Sequence, residues 1–384
     1  MKKTLILASL MASAIYANDV QSVPPAINSI PSVTFKGDVN AIVAGTDMNT
    51  HNELFALYGN LGVTKELATF NKLTLSGTLT LSSVGNFNFI KDKDLMSMIY
   101  QGGKHYTGLT EGYLRLKGPN GDVKVGRMIL NEDLMGKNDW GSFLPTSFDG
   151  VLFTGYRNGV YSKLGYFNRE QGYYTTSNNP TKSIKYDKGI VYSNIGYKNS
   201  VFDLGLSSVY KNDNENIFMQ YASLDLSKWT NKDIKVSQQY LKYNDKSNLF
   251  DNNDVYGVKV ECNKGNIYGA LAYNHLDKLT KPMYSADPLF TSTTFGAAYL
   301  DRKVNAGTAK VGYIFKNIGF AKNNKADFTF ASYKGDLRNA KVYEINAQSN
   351  IKGIGVKTSL GYIHNNTGKI RNLKVAKVVA TYKF

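Results

Sequence analysis

Positive side chains recur in this sequence at positions flanked by apolar ones. Within 113–117, Leu114 and Leu116 alternate with Tyr113, Arg115 and Lys117, and within 122–126 Val123 and Val125 bracket Lys124. Lys259 sits opposite Tyr256, Val258 and Val260, and Lys310 opposite Val311, Tyr313 and Phe315. Lys357 and Lys377 follow in the same way from Leu360, Tyr362, Val378 and Ala380. In an extended chain successive side chains point to opposite faces, so these bases share the face that their apolar neighbours leave. A wall of guanidinium and ammonium groups makes charge-assisted hydrogen bonds to carboxylate or phosphate oxygens. Arg127 breaks the pattern, because the phase of Val123 and Val125 sends it to the apolar side. At a strand's end the pleat no longer binds it, and it stays with the others as a candidate.

Other chemistries lack their residues. His51, His105, His275 and His364 lie far apart and never at metal-ligand spacing. No serine accompanies any of them in a nucleophile and base context, so neither an enzyme nor a metal or cofactor site is expected. The one cysteine, Cys262, cannot form an internal disulfide and is expected to serve in packing. Lys and Arg number 46 against 30 acidic residues. They are scattered rather than gathered in one patch or arm, which argues against nucleic acid.

The elements that would position these bases are strands. Residues 1–17 read as an export signal: Lys2 and Lys3, an apolar run from Leu5 to Leu10, then small residues up to Ala17. Removing Lys2 and Lys3 with it leaves 44 − 30 = +14. Beyond it no stretch of about 18 uncharged apolar residues reads as a membrane helix. Instead Leu73, Leu75, Gly77, Leu79 and Leu81 alternate with Thr74, Ser76, Thr78, Thr80 and Ser82, the apolar-out, polar-in pattern of barrel strands. Breaks of two sizes alternate. Short turns such as 118–121, 198–200, 263–265 and 352–353 interleave with longer polar connections at about 86–108, 129–148, 170–187, 277–292 and 364–372. Short turns on one side and long loops on the other suit a bacterial outer-membrane barrel. Positive charge would then belong to the channel interior or to extracellular loops facing the phosphates of the outer leaflet.

Nineteen strand-like runs can be marked, from 33–45 and 53–67 to 355–363 and 373–384. A chain that starts and ends in the periplasm must cross an even number of times. The weak region is 277–316, where the run 293–302 is the one that would pass to a long loop. Eighteen strands are expected, sixteen being the next choice, and either number leaves an aqueous channel. The expected organisation is 18–32 as a periplasmic segment, too short for the plug of an energised receptor, and 33–384 as one barrel. The final stretch, Ala376, Val378, Ala380, Tyr382 and Phe384, resembles the terminal strand by which outer-membrane barrels are recognised and inserted by the barrel-assembly machinery.

The hairpin LTEGYLRLKGPNGDVKVGRM at 109–128, the acidic loop after it and the segment LPTSFDGVL at 144–152 resemble the OprD-type family of substrate-specific outer-membrane porins. The detailed likeness covers about residues 109–169. It implies an 18-stranded barrel whose third extracellular loop, here 129–148 up to Asp149, folds inward as a constriction. Glu132, Asp133 and Asp139, with Asp149, would supply negative groups there, and Trp140, Phe143 and Leu144 would pack the loop on the wall. The family's basic ladder, which guides a substrate carboxylate, falls on the bases named above, Arg127 matching the family's Gly-Arg position. The expected partners are outer-membrane lipids and lipopolysaccharide and small hydrophilic solutes; the barrel would be a monomer or a homotrimer. A general diffusion porin and, further off, a non-conducting adhesin are the competing readings.

Overall fold

A computed structural model describes residues 32–46, 52–86, 106–136, 146–171, 183–211, 215–230, 232–245, 252–278, 287–295, 303–336, 339–365 and 372–384. The region read as an export signal, His51, His105, Asp139, Trp140, Phe143 and Leu144 lie outside these residues. Eighteen strands follow in chain order: β1 (Val33–Thr46), β2 (Asn52–Phe70), β3 (Leu73–Asn86), β4 (Tyr106–Gly118), β5 (Gly121–Ile129), β6 (Ser147–Arg157), β7 (Val160–Gln171), β8 (Ile184–Lys198), β9 (Phe202–Lys211), β10 (Glu215–Asp225), β11 (Asp233–Asp245), β12 (Asn253–Lys264), β13 (Ile267–Leu276), β14 (Val304–Ile314), β15 (Ala321–Lys334), β16 (Asn339–Ile351), β17 (Ile354–Asn365) and β18 (Leu373–Lys383). One helical turn, α1 (Ser227–Thr230), joins β10 to β11.

Each strand pairs antiparallel with its sequence neighbours, and β1 pairs with β18, so the sheet closes on itself. Closure leaves no row of unpaired backbone groups, the condition for a sheet to sit in hydrocarbon. The seam runs to the last residue: Phe384 N–H donates to the Gly37 carbonyl, and Gly37 N–H donates to that of Phe384, both at 3.0 Å. Tyr382 and Phe384 lie exposed on the outside. Short connections need backbone that bends sharply. Asn158-Gly159 and Lys352-Gly353 both have two consecutive positive φ angles, 51° and 84° and 51° and 89°, the backbone of the tight turn that matches strand twist.

The two faces have opposite chemistry. Leu79 and Leu81 are 56% and 53% exposed on the outside, while Thr78, Thr80 and Ser82 are buried on the inside. There Thr80 Oγ1 donates to Glu111 (2.9 Å), and Ser82 and Thr110 share a hydrogen bond of 2.7 Å. The nineteenth run, 293–302, is no strand where it is described: 287–295 is irregular chain between β13 and β14. Its Thr and Phe residues suit a strand locally, but its backbone groups are taken up by side chains of the wall. Cys262 departs from its expected packing role, since it shares the phase of Val258 and Val260 and is exposed on the outer face.

Candidate functional site: the lumen and its two inward segments

The chain after β5 turns into the barrel. Leu130, Leu134 and Met135 are fully or almost fully buried against Met128, Phe148, Leu152, Phe167 and Tyr192 of the inner wall. Glu132 and Met135 exchange both backbone hydrogen bonds, at 2.9 and 3.0 Å, closing a small loop. Gly136 follows at φ 75°, and a Cβ there would meet the Leu130 carbonyl at 2.4 Å, so the turn requires glycine.

Glu132 has a different part from the one the loop's acidic composition suggested. Both of its carboxylate oxygens accept from Lys163 Nζ at 2.8 Å, and one also accepts from the Tyr192 hydroxyl at 2.9 Å. Its charge is compensated by Lys163, so Glu132 ties the start of the loop to the wall. Asp133 lies half-buried in the same turn.

A second segment, 287–295, is held from the opposite part of the wall. The Thr291 N–H and hydroxyl both donate to Asn274 Oδ1 at 3.0 Å. Its carbonyl accepts from Thr308 Oγ1 at 3.0 Å and from the Tyr333 hydroxyl at 2.8 Å. The buried Glu344 carboxylate accepts the N–H groups of Thr294 (3.2 Å) and Phe295 (2.8 Å). The Phe295 ring lies over Gly361, where a Cβ would meet it at 2.4 Å. These bonds satisfy irregular backbone that water does not fully reach.

The bases fall into three groups. On the inner side, Arg115 donates to Asp122 through Nε at 2.7 Å and through a terminal nitrogen, while Thr154 donates to the other Asp122 oxygen at 2.6 Å. Lys259 pairs with Glu261 at 2.8 Å and Lys310 with Asp327 at 3.3 Å, so these wall charges are matched by wall acids. Lys124 and Lys357 have no ion pair among the described residues. The Lys124 ammonium lies 5.1 Å from the Tyr113 ring centroid, with Arg115 as its cross-strand neighbour. Lys357 and Lys377 line a cavity of about 650 Å³ together with Asn40, Gln348, Ser359 and Thr294 of the second segment. Lys259 and Lys310 line a neighbouring one of about 310 Å³, which Thr294 also borders. Lys117, the register partner of Asp122, is exposed near the short-turn end.

Arg127 and Asp149 form the third group, and they are a correction. Met128 and Phe148 are cross-strand partners, both 0% exposed, and face inward. Their sequence neighbours Arg127 and Asp149, also partners, therefore face outward. Arg127 Nε and a terminal nitrogen donate to the two Asp149 oxygens at 2.7 and 3.0 Å, and its other terminal nitrogen donates to the Leu109 carbonyl at 3.0 Å. Parity holds to the end of the strand, so neither residue belongs to the basic wall or the constriction loop.

Two residues were missed, Lys163 and Glu344. The signal was present: Lys163 is out of phase with Leu164 and Tyr166, and Glu344 with Tyr343 and Ile345, and the rule that placed Lys124 places both inside.

No family model and no curated protein matches the chain. Solved structures do. Pseudomonas aeruginosa OccK9 (OpdG) superimposes with TM-score 0.78 at 14% identity, over 92% of this chain and 98% of that one. Acinetobacter baumannii OccAB2 gives 0.76 at 13%, with the same coverage. P. aeruginosa OpdK with vanillate gives 0.75 at 12%, again with the same coverage. At these identities the shared property is the fold, and it agrees with the architecture implied by the resemblance of residues 109–169.

Proposed function

We propose that this chain is an outer-membrane porin through which small hydrophilic solutes diffuse passively, with a preference for anionic or zwitterionic ones bearing a carboxylate. The observation that carries the reading is a closed barrel with an apolar outside and a polar lumen narrowed by two wall-bound segments, with Lys124 and Lys357 bearing no ion pair among the described residues. An entering solute loses part of its water at the constriction and exchanges it for charge-assisted hydrogen bonds with lysine and arginine. Binding stays weak so that the solute leaves, and the concentration gradient drives flux. The transverse field expected from a positive wall facing an acidic loop is weakened, because Lys163 takes up Glu132 and wall acids take up Arg115, Lys259 and Lys310. Selectivity then rests on Lys124 and on the cavity bordered by Lys357, Lys377 and Thr294.

The test is planar-bilayer conductance of the refolded barrel with reversal potential in a salt gradient. Discrete channel steps with anion preference are expected, reduced in the Lys124→Gln, Lys357→Gln double variant. A carboxylate such as vanillate, the compound named with OpdK, is the first solute to assay for block. Absence of steps would remove the channel reading in favour of a non-conducting surface barrel. Steps whose selectivity ignores both lysines would leave a general diffusion pore.

A further inference from the structure

The outward face of β5–β8, at the end carrying the long connections, bears a row of charges just above the apolar surface of Val125 and Val151. Asp149 is the register partner of Arg127 on one side and of Arg169 on the other, and Arg169 is the partner of Lys185. Four side chains on four adjacent strands thus form one transverse row. Arg127 grips Asp149 with two hydrogen bonds, and Arg169 reaches the same carboxylate at 3.7 Å while its side chain is 44% exposed. Lys185 is exposed and has no ion pair among the described residues. Three cations against one anion leave an excess of two positive charges. The adjacent exposed Asp187 and Lys188 cancel each other and do not change that sum.

We infer that this row is a binding site for the phosphate groups of an outer-leaflet glycolipid of the lipopolysaccharide class. The proposal rests on the reading of the chain as an outer-membrane barrel, which sets the long connections outside. A charge facing hydrocarbon is costly, about 2–4 kcal/mol for arginine or lysine at the midplane, falling toward zero at the interface. A row of bases on the lipid side therefore belongs at headgroup depth, where phosphates are the abundant partner. Arg169 meets Asp149 only at 3.7 Å and stays 44% exposed, so its fixed fork of five donors can turn N–H groups to phosphate oxygens. Directly inboard on the same face lie the exposed Val125 and Val151, apolar surface on which acyl chains attached to that phosphate can rest. A free phosphate ion would gain nothing from that surface, which favours a lipid.

The experiment uses the full refolded barrel in detergent micelles, with purified bis-phosphorylated lipid A titrated and bound lipid counted by native mass spectrometry. The Arg169→Gln, Lys185→Gln double variant is expected to bind about tenfold or more weakly, the loss of two hydrogen-bonded charges. Dephosphorylated lipid A is expected to bind wild type as weakly as the intact lipid binds the variant. Lys185→Gln alone, at an exposed residue without an ion pair, keeps the fold and is expected to weaken binding by a smaller factor. Equal affinity of wild type and both variants overturns the site. So does full competition by millimolar inorganic phosphate, or equal weakening by Lys198→Gln at the opposite end of the barrel. A change in oligomeric state with unchanged lipid content would make the row a contact between copies and overturn the proposal. Channel steps recorded on the same preparations keep the two readings separate: lipid binding can fail while conductance persists.

Discussion

Two ion pairs on β5–β7 and the loop between them lie within a few residues of each other and act in opposite directions. Inside, Lys163 and Tyr192 hold Glu132, and with it the apolar residues Leu134 and Met135, so the pair shapes the lumen. Outside, Arg127 and Arg169 both meet Asp149 in a row on the outer face. What separates them is strand parity, since the fully buried Met128 and Phe148 stand one residue from Arg127 and Asp149. In a barrel the chemical type of a charged residue says less about its task than whether its position is odd or even.

That contrast can be broken most forcefully from the lipid side. Leu79→Arg places a cation on the outer face amid exposed leucines and is expected to cost about 2–4 kcal/mol near mid-membrane. Folded barrel in heat-modifiability gels should fall sharply, whereas Thr80→Arg, one residue along on the lumen face, should keep the fold. Next comes the inner pair. Glu132→Gln removes a carboxylate that serves both Lys163 and Tyr192, a loss of about 1.5–3 kcal/mol for bonds to a charged group. The first inward segment should loosen, raising single-channel conductance and its noise, while Asp149→Asn should leave conductance unchanged. Gly361→Val is expected to push Phe295 off its seat and free the second inward segment in the same assay, with the barrel itself intact. The smallest effect belongs to Lys198→Ala at the exposed Lys198–Asp203 pair of 2.8 Å. Exposed pairs contribute only about 0–1 kcal/mol, so urea unfolding midpoints should barely move.

The architecture was largely legible because alternation is a local property. The stretch 73–82 displays its period directly, and Leu79 and Thr80 fall on the sides that period assigns. Parity also demanded an even count, which flagged 293–302 as the run that does not belong. The same rule, kept to the strand's end, places Arg127 outside, because Met128 and Phe148 one residue on are fully buried inside. The site was less legible. Glu132 reads as a loop acid, and only contact with a lysine thirty-one positions away makes it an anchor. Thr291 reads as part of a long connection and Thr294 as a strand residue, and only Asn274, Tyr333 and Glu344, drawn from three strands, turn them into a segment lying inside the barrel.

The sequence by itself determined the closed sheet, the apolar exterior and the face on which each mid-strand base sits, because a period of two is written in neighbouring residues and burial in lipid enforces it. The tertiary structure decided which of those bases keep their charge available. Pairing with Asp122, Glu132 or Asp327 depends on register and side-chain reach across strands, and no pattern within one strand encodes that.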